Sequence, residues 1–195
     1  AGIVTNQGIE ASARWMDNIG DFKYSIGGNF TFTRNKIVEQ NEEYRPYEYL
    51  NRTGHRIGQF HGYVVEGIYQ SQEEIDQRGV TQTLSEVKPG DLRYKDLNGD
   101  HVIDSYDQTS IGYSTLPEIY YAADLNLEYK GFGVFAQFQG VANRSVLASV
   151  PGVYRPLYGN RTISKEYYNN RWTPETPNAL YPRLTSVGSD NNYAN

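Results

Sequence analysis

Cysteine is absent from the 195 residues. That removes disulfides and thiol catalysis, and it leaves the compartment open, because many exported proteins carry no disulfide. No run of about 18 apolar residues occurs, which excludes a transmembrane helix. It does not exclude a transmembrane β-barrel, whose alternating strands give a far weaker hydropathy signal. No stretch reads as a signal peptide. The net charge is only −5, with basic residues scattered along the chain, so nucleic acid is not an expected partner. His55, His61 and His101 lack metal-ligand spacing. Glu73 and Glu74 are adjacent and would not face one another on a helix. With no Ser/His/Asp arrangement and no phosphate loop, the chain does not read as an enzyme.

Tyrosine and alternation are what the chain does have. There are 18 Tyr, 7 Phe and 19 Gly at a mean hydropathy of −0.68. Tyrosine, with an apolar ring and a polar tip, suits side chains that meet both apolar and wet surroundings. Residues 7–16 alternate, Ile9, Ala11, Ala13 and Trp15 against Glu10, Ser12 and Arg14. After turn residues at Asp17–Asp21, residues 22–34 alternate again, with Phe22, Tyr24, Ile26, Phe30 and Phe32 on one face. A second pair follows at 118–129 and 132–140, joined by Lys130-Gly131. Period two with an apolar face predicts β-strands, and the spacing predicts two antiparallel hairpins. The long loops are expected at 37–116 and 141–195. Gly62–Tyr69 reads as one short strand. Ser71 with Glu74 three residues on is a capping box and predicts a short helix.

The most ordered signal in the first loop is Asp96 to Asp107. Oxygen-bearing side chains fall at loop positions 1, 3, 5, 9 and 12 (Asp96, Asn98, Asp100, Asp104, Asp107), with the Val102 carbonyl at position 7. An EF-hand-type loop wraps Ca²⁺ with that spacing. Ile103, at position 8, is placed to anchor the loop. Two departures stand out: His101 at the position that favours glycine, and Asp107 where glutamate gives bidentate reach. The alternative is a solvated Asx-rich turn with no metal.

Four long strands, tight turns at one end and long connections at the other, match an outer-membrane barrel pattern, and a soluble sandwich alternates identically. On the barrel reading the turns are periplasmic, the long loops extracellular, and Glu10, Arg14, Lys23, Asn126, Glu128 and Gln137 face the lumen. Four strands cannot close a barrel, so the chain would belong to a larger protein.

The stretches Arg52–Phe60, Gly62–Gln70, Val87–Asp100, Ile111–Ser114, Pro117–Tyr121, Arg171–Glu175 and Tyr181–Leu184 resemble the SusC/RagA-like TonB-linked outer-membrane proteins of Bacteroidetes, in the same order along nearly the whole chain. The resemblance implies that residues 1–195 are a late part of a TonB-dependent receptor β-barrel. It implies a multi-pass protein in outer-membrane lipid, an SusD-like surface lipoprotein as partner, and energy delivered through TonB by segments outside this stretch. The cargo implied is oligosaccharide or peptide. Tyr44, Tyr47, Tyr49, Asn143 and Trp172 are the candidate substrate contacts, and Ca²⁺ the candidate structural ion. Trp15 is expected at a membrane interface. The competing account is a soluble, calcium-stiffened β-module that binds glycan at the cell surface. The two differ at Ile119, Tyr121, Leu125, Leu127, Phe132, Val134 and Phe138: a lipid-facing band in the first, buried in the second.

Overall fold

The computed structural model describes residues 2–186 and 188–195. The chain is all-β and mostly antiparallel. Four long strands carry it: β1 (Ile3–Ile19), β2 (Phe22–Glu39), β9 (Ile119–Tyr129) and β10 (Phe132–Ala142). Between them lie β3 (Gln59–Tyr63), β4 (Val65–Ile68), helix α1 (Gln72–Arg78), β5 (Thr81–Gln82), β6 (Leu92–Tyr94), β7 (Val102–Ile103) and β8 (Gln108–Ser114). Helix α2 (Lys165–Asn170) follows β10. Among the described residues no helix is long and apolar enough to cross a membrane, which leaves crossing by strands untouched.

The long strands form one open antiparallel sheet in the order β1-β2-β9-β10. Both predicted hairpins are present, and they pair with each other through β2 and β9. Lys130 and Gly131 both have positive φ, 47° and 87°, as a type I′ hairpin turn requires. The first hairpin runs further than the sequence pattern suggested. Apolar alternation fades before Gln7 and after Phe32, yet the ladder continues through Gln7 with Arg34 and Thr5 with Lys36, until a bulge at Ile3/Val4. Backbone pairing does not need an apolar face, so polar ends stay in the sheet. The single strand predicted at Gly62–Tyr69 is two. The chain pairs with β8 as β3 and then with β6 as β4, and Val64, at the switch, accepts a hydrogen bond from the Lys95 amide (2.9 Å).

Two compact units divide the chain. The sheet unit comprises residues up to Glu43, Arg52–Phe60 and Gly112–Val146. The loop unit comprises Tyr44–Asn51, His61–Ile111 and the residues from Leu147 on. Among the described residues the buried aliphatic and aromatic side chains, Leu50, Tyr63, Tyr69, Tyr94, Ile103 and Tyr167, all belong to the loop unit. Four are tyrosines, and the hydroxyls of three of them are bonded within the unit. Tyr69 accepts from Arg78 (2.6 Å), Tyr94 donates to the Asn191 carbonyl, and Tyr167 meets Tyr193 (3.0 Å) and the Pro182 carbonyl (3.3 Å). Burial pushes the phenols of Tyr94 and Tyr167 up, so both stay neutral donors.

Candidate functional site

The sheet has one apolar face, and its register lines that face up across all four strands. Cross-sheet rows read Trp15, Ile26, Leu125, Ala136; then Ala13, Gly28, Ala123, Phe138; then Ala11, Phe30, Tyr121, Gly140; then Ile9, Phe32, Ile119, Ala142. Toward the turns the rows continue with Tyr24, Leu127 and Val134, then Ile19, Phe22, Tyr129 and Phe132. From Phe22 to Phe32 is about ten residue steps, roughly 33 Å along the strand and about 25 Å in height at a tilt near 40°. Nothing covers this face among the described residues: Phe132 is 83% exposed, Phe138 72% and Ile9 67%. Ser25 and Gly27 are the only buried residues of the four strands. Trp15 lies in the third row from the turns and is itself exposed.

The opposite face is mostly polar, with Met16, Tyr120, Phe135 and Val141 also on it. Glu10, Arg14, Lys23, Asn126, Glu128 and Gln137 share it, as the alternation predicted. Arg14 reaches over β2 to Asp124 at 2.9 Å. Gly27 lies between them in register, and a Cβ there would come within 2.5 Å of Asp124 Oδ1, so glycine is what lets the ion pair cross the strand. Lys23 and Glu128 form a looser pair at 3.5 Å. Toward the loop end of this face lies a cavity of about 420 Å³ lined by Val4, Asn6, Asn35, Arg56, Ile57 and Tyr120 among others.

Two carboxylate knots fasten the connections. Glu118, one residue outside β9, accepts from Arg34 Nε (3.0 Å) and Nη2 (2.9 Å), from Arg56 Nε and from Asn143 Nδ2 (3.2 Å). Burial alone would raise its pKa. The hydrogen bonds from Arg34, Arg56 and Asn143, with the charge of Arg56, bring it down to about 2. In the loop unit the fully buried Asp91 accepts from Arg183 Nε (2.6 Å), Asn192 Nδ2 (2.8 Å) and the Lys88 amide (3.0 Å). These knots were not legible in the sequence. Their partners lie 84 and 92 residues apart, and the only local hints were Pro117-Glu118 before an alternating strand and the turn at Lys88–Asp91.

The predicted contact residues are not gathered into one site. Tyr47 and Tyr49 stack at 5.3 Å with Tyr106 edge-on to Tyr47, and Tyr44 stands 91% exposed. Trp172 packs on Gly90, where a Cβ would approach its ring to 2.4 Å, and donates Nε1–H to Gln70 (2.9 Å). The amide of Asn143 is engaged by Glu118. Glu73 and Glu74 go separate ways: Glu73 accepts from Gln77 (2.9 Å), while Glu74 accepts from the Gln70 amide (2.7 Å) and pairs with Arg93. Ser71 caps α1 through the Glu74 amide (3.1 Å).

The acidic loop folds back on its own amides. Asp96 accepts from Gly99 (2.7 Å) and His101 (2.9 Å), Asn98 from Asp100 (3.1 Å), and Asp100 from Val102 (2.8 Å). Asp104 accepts from Tyr106 (2.7 Å), and Asp107 from Leu97 (2.7 Å) and Asp104 (2.9 Å). Ile103 is fully buried against Tyr63 and Tyr94, which is the anchor expected of loop position 8. His101 has φ 65°, the left-handed region that glycine would take without strain. Among the described residues no group of three or more His, Cys, Asp or Glu side chains is gathered to hold a metal ion.

No family model and no curated protein matches the sequence. Solved structures do. A chain in the structure of the RagAB peptide transporter matches with a TM-score of 0.62 at 17% identity, covering 94% of this chain and 20% of that one. Chains of the RagAB peptide importer in its closed-closed and open-open states match at the same TM-score, with 16% and 18% identity, over 96% of this chain and 21% and 20% of theirs. The chain therefore spans about a fifth of the length of those solved chains, and at these identities what it shares with them is the fold.

Proposed function

We propose that this chain is a barrel segment of an outer-membrane importer, with outer-membrane lipid against the apolar rows and the polar face turned to the lumen. The observation that carries the reading is the band itself: six rows in register, about 25 Å tall, on a sheet that buries no apolar side chain. That height is the one a transmembrane barrel presents to lipid. A soluble β-module would have to bury Tyr121, Phe132, Val134 and Phe138, which are all exposed. The parent protein would work with an SusD-like surface lipoprotein and draw energy through TonB. The RagAB structures are of a peptide transporter, which favours peptide over oligosaccharide as cargo.

Ca²⁺ enters this proposal as a structural ion. Asp96, Asn98, Asp100, Asp104 and Asp107, with the Val102 carbonyl, would supply its oxygens. Their register supports the assignment. The amide bonds they already make, and the ungathered carboxylates, point to weak binding, in the range of about 10⁻⁴–10⁻³ M typical of extracellular modules. The Asp96→Ala, Asp100→Ala double variant should raise protease cleavage within 61–111 and leave the hairpins intact.

The importer reading is tested by expressing the parent gene, fractionating the cells and probing residues 37–116 on intact cells. Outer-membrane fractionation with that loop reachable from outside is the expected result. A protein released without detergent would sink the reading in favour of the soluble module.

A further inference from the structure

We infer that the outward face of the first hairpin holds a phosphorylated membrane lipid, its phosphate at Arg34 and Lys36 and its acyl chain over Ile9 and Phe32. This rests on the membrane reading above. The apolar rows end at Ile9 and Phe32. On the same face the next two cross-strand pairs are Gln7 with Arg34 and Thr5 with Lys36. A cavity of about 510 Å³ there is lined by Thr5, Gln7, Gly8, Ile9, Phe32, Arg34 and Lys36. Its lower part is apolar and its upper part carries two cations, a hydroxyl and an amide. One strand row is about 7 Å for every two residues, so both cations lie within a headgroup's depth of the last apolar row.

The charge on this patch is not neutralised. Lys36 has no partner among the described residues. Arg34 gives Nε and Nη2 to Glu118 and keeps Nη1. Arg56, which lines the cavity on the opposite face, shares the same carboxylate, so Glu118 does not fully neutralise Arg34. Arg34 also lies over the Phe32 ring at 5.2 Å, which holds it against the edge of the apolar band. A lipid phosphate is the anion such a patch meets at that height, and each basic residue there contributes about 1 kcal/mol of attraction to an anionic lipid surface.

The test uses the full-length parent in neutral detergent and measures lipid binding by native mass spectrometry. The probes are a bisphosphorylated glycolipid, the same lipid without phosphates, and inorganic phosphate. The phosphorylated lipid should bind. Lys36→Gln should weaken it about 5-fold, the factor that corresponds to about 1 kcal/mol. Lys36→Arg should retain binding, and Lys23→Gln, on the other face, should leave it unchanged. Equal binding of the phosphate-free lipid, an unaffected Lys36→Gln variant, or competition by inorganic phosphate at the lipid's own concentration each overturn the inference. A parent that is soluble without detergent overturns the membrane reading and this inference together. A parent that needs detergent but binds both lipids alike overturns this inference alone.

Discussion

The sheet unit and the loop unit solve opposite solvation problems with the same residue types. The sheet has strands of 11 to 18 residues, exposes its aromatics in ordered rows and buries no apolar side chain. The loop unit has strands of seven residues or fewer and buries four of its tyrosines, with Tyr63 and Tyr94 packed on Ile103. A soluble fold must remove apolar area from water, because that burial is its main driving force. The loop unit does so, with tyrosines whose hydroxyls reach backbone carbonyls and an arginine. The sheet does not: its apolar rows stay exposed, as the proposed contact with lipid requires. The contrast shows that a high tyrosine count can mean two things in one chain: rims and rows on the sheet, and a polar-tipped core in the loops.

The largest expected effect breaks the loop side of the comparison. Tyr94→Ala should destabilise the loop unit by about 3–5 kcal/mol, seen as faster proteolysis within 61–111, while the hairpins keep their resistance. Tyr94→Phe, which only removes the bond to the Asn191 carbonyl, should cost about 1 kcal/mol. On the sheet side, Leu125→Arg places a cation mid-band and should cost about 2–4 kcal/mol in urea titrations of the parent folded into lipid vesicles. Asn126→Arg, one residue on and on the polar face, should stay within about 0.5 kcal/mol. Equal costs at the two positions would erase the difference between the faces.

A smaller effect is set by pH at the Glu118 knot. Its pKa is depressed in the fold, so its contribution is fully present above the unfolded value near 4.5. It is lost as pH falls toward about 2. With Arg34 half-exposed, that contribution is about 2 kcal/mol. Glu42, which clamps the amides of Arg52 (2.6 Å) and Thr53 (3.0 Å), is likewise held at about 2. Glu118→Gln should therefore reduce, and not abolish, the loss of stability measured between pH 4.5 and 2. The smallest effect is His101→Gly, which relieves a left-handed backbone and should stabilise the 96–107 loop by about 1 kcal/mol. It should also tighten any calcium response read by protease protection.

How much of this was legible follows from how local each signal is. Alternation is local, so both hairpins and the two faces could be read from residues such as Phe22–Phe32 and Ile119–Tyr129. The outer strand ends were not, because Thr5 and Lys36 pair through backbone and carry no apolar mark. Position 8 of the acidic loop correctly named Ile103 as an anchor, since a lone apolar residue amid Asp and Asn has few other uses. The tyrosine core could not be read, because Tyr63, Tyr94 and Tyr167 have no common period. The same holds for Glu118 and Asp91, whose partners come from distant parts of the chain. Asn143 read as a free amide on a loop, and its φ of 54° and bond to Glu118 give it a structural place instead.

On the proposed reading, one face of this sheet meets lipid and the other water. That reading is tested most directly by placing single cysteines along β9 of the parent, a strand with none of its own, and labelling each with a fluorophore in reconstituted vesicles. A strict alternation is expected. Labels at 121, 123, 125 and 127 should be quenched from within the bilayer, and labels at 120, 122, 124 and 126 by an aqueous quencher. Aqueous quenching at both sets, or protection of the odd set from both quenchers, would contradict it.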